Sequence, residues 1–396
     1  MPNEFLSPEG DLENHFVTDY WLIDQYVGDT LWTWAAASSG ALGNASTTSK
    51  STPVTTFAGG TNWKQVVCGN AYTVAIKTDG TLWIWGSGGS GLLGNAQTTN
   101  RSTPVTTFAG GTNWKQVSSG GLHTAAIKTD GTLWTWGIGL NARLGNAQTT
   151  SSISTPVTTF AGGTNWRQVS AGSAHTSAIK TDGTLWIWGN GTTGQLGNAQ
   201  TTDASTPVTT FAGGNDWKQV SAGVRCTTAI KTDGTLWIWG QGSGGALGNA
   251  QTINSSTPVT TFAGGNDWDK VSCGNYYTAA IKTDGTLWTW GFSSDGCLGT
   301  ASSGVTISTP VTTFTGGNDW KHIEAGVFHV AAIKTDGTLW TWGNGVDGKL
   351  GNGTTTGNTS TPITTFAGGT NWKQAASGFY HTAAVQSGIN AEYPLS

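Results

Sequence analysis

The sequence predicts an all-β protein built as a closed ring of seven four-stranded units, and three observations carry that prediction. A tryptophan pair, Leu-Trp-Thr/Ile-Trp, recurs at Trp32/Trp34, Trp83/Trp85, Trp134/Trp136, Trp186/Trp188, Trp237/Trp239, Trp288/Trp290 and Trp340/Trp342, always 51 or 52 residues apart. Such a period marks a stacked or circular repeat, in which no unit buries its hydrophobic faces alone. Sixty glycines, 22 tryptophans and only 10% charged residues describe a turn-dense β chain. Finally, the last unit stops after two strands, and the N-terminal part supplies the two it lacks. Together these describe a seven-bladed β-propeller of antiparallel blades, with one blade shared by the two chain ends.

Residues 1–27 precede the repeat and form a short arm with Glu4, Glu9, Asp11, Glu13, Asp19 and Asp24 but no lysine or arginine. Phe16, Tyr20, Ile23 and Val27 follow helical spacing, so Asp11 to Tyr26 reads as a short amphipathic helix capped by Asp11. With Trp21 beside them, Phe16, Tyr20 and Ile23 are the candidate contacts through which the arm docks on other proteins of a larger assembly. Residues 28–386 are the propeller and 387–396 a C-terminal tail.

Within the unit spanning 63–110, Trp63 to Val67 is a first strand ending at Gly69, and Tyr72 to Lys77 a second. Asp79-Gly80 predicts a tight two-residue turn requiring positive φ, leading into Leu82 to Gly86. After a long Gly/Asn/Thr loop, Ser102 to Phe108 supplies a fourth strand, whose Pro104 belongs on an edge. The closing unit takes Leu31 to Trp34 and Thr52 to Phe57 as its third and fourth strands.

Trp188-Gly-Asn-Gly-Thr-Thr-Gly-Gln-Leu-Gly197 and Gly172-Ser-Ala-His175-Thr, repeated around the chain, resemble the RCC1 repeat family over about residues 28–386. The resemblance implies a seven-bladed propeller with the Gly-x-x-His turn near the axis. Members of that family include an exchange factor acting with a basic tail and an inserted wedge, a plant UV-B receptor with Gly-Trp-Arg-His-Thr in the first loop, and a secreted β-lactamase inhibitor. Here the tail is acidic and the blades uniform. Gly223-Val224-Arg225-Cys226-Thr227 has no tryptophan, and no conventional secretion signal opens the chain. Residues 16–24, ahead of a tryptophan-rich propeller, are similar to structural proteins of marine bacteriophages. That similarity implies a virion location, with the cytoplasm as the alternative.

Strand parity then separates constant from variable positions. The loops after the second and fourth strands hardly change, whereas those after the first and third differ in every unit and emerge on one side of an up-and-down sheet. Variable loops on a rigid frame suit recognition. Tyr276, Tyr277, Phe292, Phe328, Phe379, Tyr380 and Tyr72 fall on consecutive units, with Arg225 on the opposite arc; aromatics of this kind stack sugars or anchor protein partners.

Chemistry is not indicated. The acids mostly repeat in Asp-Gly turns, and no nucleophile, base and acid converge. His123, His175, His329 and His381 share a column that Tyr72, Cys226 and Tyr277 interrupt, so a metal ring is not expected and no cofactor is implied. Cys68 and Cys273 fill a column for small buried side chains, and Cys226 and Cys297 show no pairing, which reads as four inert thiols in a reducing compartment. A net charge of -4 and the lack of an 18-residue apolar run point away from nucleic acid and from a membrane span. The expected function is a non-enzymatic structural or host-recognition propeller of a virion, presenting its variable face to a glycan or protein. A soluble interaction or inhibitor module working alone, and a cement protein without ligand, are the other two readings.

Overall fold

The computed structural model describes residues 28–388. Seven four-stranded antiparallel sheets follow one another around a central channel. In blade 1 the strands are Trp63–Cys68, Tyr72–Lys77, Leu82–Gly86 and Arg101–Thr106, paired in chain order from the channel outward. Blades 2 to 6 repeat this from Trp114, Trp166, Trp217, Trp268 and Trp320. Blade 7 is composite: Trp372–Ser377 and His381–Gln386 take Thr30–Ala35 and Lys50–Thr55 as outer strands. Leu31 stands opposite Val385 there, and Trp34 opposite Thr382. The expected closure is therefore present. The arm residues Phe16, Tyr20, Trp21 and Ile23, and the helix expected around them, lie outside the described residues.

The Asp-Gly turn differs from the expected one. Gly80 N–H donates to Lys77 O at 2.9 Å and Lys77 N–H to Thr81 O at 3.0 Å, so Thr78-Asp79-Gly80 is a three-residue loop. Only Gly80 has positive φ, at 79°. Asp79 keeps ordinary φ because its carboxylate accepts both the N–H and the hydroxyl of Thr81, at 2.9 and 2.7 Å.

The core lies between blades. The second strand of blade 1 is buried at five of its six positions, as in the other blades. The second tryptophan of each pair is clamped by the preceding blade. Trp85 Nε1–H donates to Ala41 O at 2.8 Å, Trp239 to Gln195 O at 2.9 Å and, across the closure, Trp34 to Lys349 O at 2.9 Å. The glycine of each Leu-Gly lies against that indole: a Cβ on Gly197 would fall 2.6 Å from Trp239 Nε1. The repeated Leu-Gly thus encodes a contact to the following blade.

Every inner strand carries a β-bulge at its second residue. Trp63 pairs with Lys77 but Gln65 with Ile76, leaving Lys64 as the extra residue, and the other six blades shift alike. Beyond the bulge Gln65 reaches the next blade, where its amide accepts Val117 N–H at 3.1 Å and donates to Val117 O at 2.9 Å. Gln116 does the same to Val169, and Gln374 to Val66.

Candidate functional site on the variable-loop face

The first and third strands of a blade end on the same side: in blade 1 Cys68 pairs with Thr73, and Gly86 with Tyr72. The first loops meet around the axis. Gly121 N–H donates to Gly172 O at 3.2 Å, Ser173 N–H to Gly223 O at 3.0 Å and Val224 N–H to Gly274 O at 3.2 Å, so neighbouring turns are stitched through backbone. There the channel narrows from a cavity of about 660 Å³ to one of about 70 Å³.

Each Gly-x-x-His turn is a structural latch. The ring of His175 packs on Gly172, where a Cβ would lie 2.7 Å from Cε1. Its Nε2 is 2.9 Å from Thr227 Oγ1, and that hydroxyl donates onward to Gln195 O at 2.8 Å. The hydroxyl proton being committed, Nε2 must donate, which fixes the tautomer. His123, His329 and His381 make the same relay to Thr176, Thr382 and Thr73. Burial pushes all four imidazoles down, to about 3 at His175 and His329 and about 4 at His381. Among the described residues no group of three or more His, Cys, Asp or Glu is placed to hold a metal ion.

Two of the eight face residues are displaced from that role. Tyr72 and Tyr277 occupy the histidine slot and are buried to 0% and 1% exposure. Tyr72 O–H lies 2.6 Å from His123 O and 3.2 Å from Gly120 O, and Tyr277 O–H 2.8 Å from Gly326 O and 3.1 Å from His329 O. The phenol bridges blades, and burial raises both pKa values. These turns read Gly-Asn-x-Tyr, with Ala71 and Tyr276 at φ of 59° and 65°. The residue before the tyrosine is therefore flipped into left-handed geometry.

The remaining aromatics gather into one arc. Tyr276, Phe292 and Phe328 border a cavity of about 460 Å³ with Ser243, Asn275 and Thr306 as polar edges, above the buried Tyr277 and Cys297. Phe292 and Tyr380 are 37% and 40% exposed. Phe328 continues the arc to Tyr380 at a ring separation of 6.4 Å, and Tyr380 to Phe379 at 6.2 Å. Phe379 leans over the axis, where a Cβ on Gly121 would meet its Cζ at 3.3 Å, and so helps close the channel. Arg225 is exposed beside a separate dent of about 320 Å³ with Gln195 and Asn190. A further exposed set lies at the ends of the fourth strands: Phe57, Phe108, Phe160, Phe211 and Phe262 are each 70% exposed. In the sequence this column reads as plain strand.

Two of the four cysteines are not the inert thiols that the sequence suggests. Cys226 and Cys273 form a disulfide, while Cys68 and Cys297 are buried thiols. Cys226 holds the histidine slot of blade 4 and Cys273 the small slot of blade 5, and these slots face each other between neighbouring blades. Only there do cysteines fill both, a coincidence visible in the aligned units. The inference of a reducing compartment loses its support.

In the channel Glu324 stands where blades 2 to 5 carry serine, 3.5 Å from Ser272 Oγ, and burial raises its carboxyl to about 7. A raised carboxyl pKa costs the fold nothing while the unfolded chain is also protonated, and stability falls as pH rises from about 4.5 to 7. Glu324→Gln is therefore expected to stabilise by ~1–2 kcal/mol at pH 8, discounted for water in the channel, and not at pH 4. Urea unfolding at the two pH values checks this.

The profile of the RCC1-like domain matches residues 26–315, and RCC1 repeat profiles match 320–349 and 336–385. The chain belongs to the RCC1-like family. Among RCC1-like relatives, the ultraviolet-B receptor UVR8 of Arabidopsis thaliana is 29% identical over 331 residues, 82% of this chain and 75% of UVR8. The human E3 ubiquitin-protein ligase HERC2 is 27% identical over 92% of this chain, which spans only 8% of HERC2. The structure of human WBSCR16 superposes with a TM-score of 0.79 at 20% identity, covering 91% of this chain and 100% of that one. Yeast RCC1 (Prp20) bound to Kap60 gives 0.78 at 18%, covering 93% and 91%. At these identities the structures establish the fold alone.

Proposed function

We propose that this RCC1-like ring is a non-enzymatic protein-binding module whose variable-loop face receives the partner at the aromatic arc of Tyr276, Phe292, Phe328 and Tyr380. One observation carries the reading. Side chains from three successive blades, each from a loop that differs between units, converge on one apolar cavity, while the opposite loops are nearly constant. Half-exposed aromatics around a pocket are what protein anchors seek. The same fold binds protein elsewhere, yeast RCC1 having been crystallised with Kap60. The module working alone thereby takes precedence over a place in a virion, a reading that rests on residues 16–24 outside the described chain.

The test is a protein array and a glycan array probed with the purified chain, each hit then titrated against Tyr276→Ala, Phe328→Ala and Tyr380→Ala. A protein ligand should weaken at least about thirtyfold on truncation of a central anchor. Glycan hits alone would replace protein by carbohydrate, and affinity indifferent to all three variants would remove the arc as the site.

A further inference from the structure

The central channel holds charged side chains that the repeat does not require, and they gather on two adjacent blades. Three inner strands read Trp-Lys/Arg-Gln-Val-Ser, at 114–118, 166–170 and 217–221. Blade 5 instead reads Trp268-Asp269-Lys270-Val271-Ser272, and blade 6 Trp320-Lys321-His322-Ile323-Glu324. Asp269, Lys270, His322 and Glu324 all line the cavity of about 660 Å³, with Arg167 and Lys218 beside them. That volume falls in the usual range of small-molecule sites, roughly 300–1,000 Å³.

Charge is layered along that cavity. At the level of the second and third strand residues, Arg167, Lys218 and Lys270 stand against Asp269. Asp269 is shared by the two lysines, at 2.9 and 2.8 Å. Arg167 donates to Trp217 O at 2.7 Å and has no carboxylate partner among the described residues. Arg167 and Lys218 are exposed, which makes this level the open end. Two to three residues deeper, ~7–10 Å along the strand, stands the cavity's other carboxylate, Glu324. Its Oε2 has Ser272 Oγ at 3.5 Å, too long for a firm hydrogen bond, and no base pairs with it among the described residues. Burial raises its carboxyl to about 7, with no cation to hold it down. His322 does not fill that role, because its Nε2 lies 2.9 Å from Ala375 O and burial lowers its pKa. At the level of Glu324, Ser118, Ser170, Ser221 and Ser272 each accept an N–H of the following blade at 2.9–3.1 Å. A hydroxyl that accepts one N–H retains a proton and a second lone pair.

We infer that the central channel binds a small zwitterion, its cationic group deep against Glu324 and the serine hydroxyls and its anionic group at the mouth beside Arg167, Lys218 and Lys270. A simple cation would meet three bases at the entrance, and a simple anion would meet Glu324 below them. A molecule carrying both charges ~7–10 Å apart answers each level. ω-Amino acids and short unblocked peptides have this form. The site is separate from the partner face proposed above. It is tested by isothermal titration of the full chain with 6-aminohexanoate at pH 8 and low salt, whose extended chain holds its charges ~8 Å apart. The controls are 6-aminohexanamide, which lacks the anion, and 6-acetamidohexanoate, which lacks the cation. Expected is saturable one-to-one binding of 6-aminohexanoate, weaker about fivefold or more for each control. Glu324→Ser should weaken it about tenfold or more and Lys270→Gln about threefold or more. Both substitutions install the residue that other blades carry at that position, so the fold accepts them. Failure of 6-aminohexanoate to bind, equal binding of either control, or affinity unchanged in either variant would each overturn the inference.

Discussion

Acidification from pH 6.5 to about 4.5 is expected to cost the propeller ~4 kcal/mol per pH unit, enough to unfold it within two units if its stability is typical of domains. His123, His175, His329 and His381 are fully buried, and each spends its Nε2 proton on a threonine of the next blade. Among the described residues the Nδ1 atoms of all four have no partner. Adding a proton there would place an unpaired charge in the blade interface, so burial holds all four well below the ordinary imidazole range, at about 3 for His175 and His329 and about 4 for His381. The unfolded chain binds these protons from about pH 6.5 downward. Stability from this source is thus complete above 6.5 and lost as pH falls. Glu324 acts in the opposite sense over the same range, because its folded pKa is raised, and cancels about one of the four. Urea midpoints at pH 7, 6 and 5 measure the slope; a flat profile would mean that the latches are hydrated.

Gly197→Ala is expected to destabilise the ring by ~3–5 kcal/mol, summing left-handed strain and overpacking. Gly197 has φ of 62°, and its absent Cβ is the space in which the Trp239 indole sits with 0% exposure. Displacing that ring breaks its bond to Gln195 O and opens the seam between two blades. Gly213→Ala supplies the control, since its φ of 56° is similar but nothing lies within 4 Å of its Cβ. That variant should lose only ~1 kcal/mol. Equal losses in thermal or urea unfolding would show that backbone strain, not the clamp, sets the cost.

The ring was legible in the sequence because its contacts repeat. The tryptophan pairs, the Leu-Gly and the split closing blade each recur or complete a period, and every one maps to a hydrogen bond or register in the structure. Legibility failed where one column serves two purposes. Tyr72 and Tyr277 sit among exposed-loop residues in the chain, yet their column is the interblade latch. The aligned units carried the clue: Val330 alone replaces the threonine that receives a histidine, and the blade before it holds Tyr277. Cys226 and Cys273 were missed similarly, since their partnership joins different columns of adjacent blades, 47 residues apart. Face parity, being a property of alternating strand direction, needed no side-chain detail. Which aromatics share a pocket depended on loop geometry that spacing does not encode.

Whether partner recognition belongs to the variable-loop face is read by amide hydrogen exchange on the chain with and without a bound protein partner. Protection is predicted in the turns 275–277, 327–328 and 379–380 and in the loop at 292–297, with the Lys-Thr-Asp-Gly turns unchanged. Protection concentrated in those constant turns, with the aromatic loops exchanging as in the free chain, would contradict it.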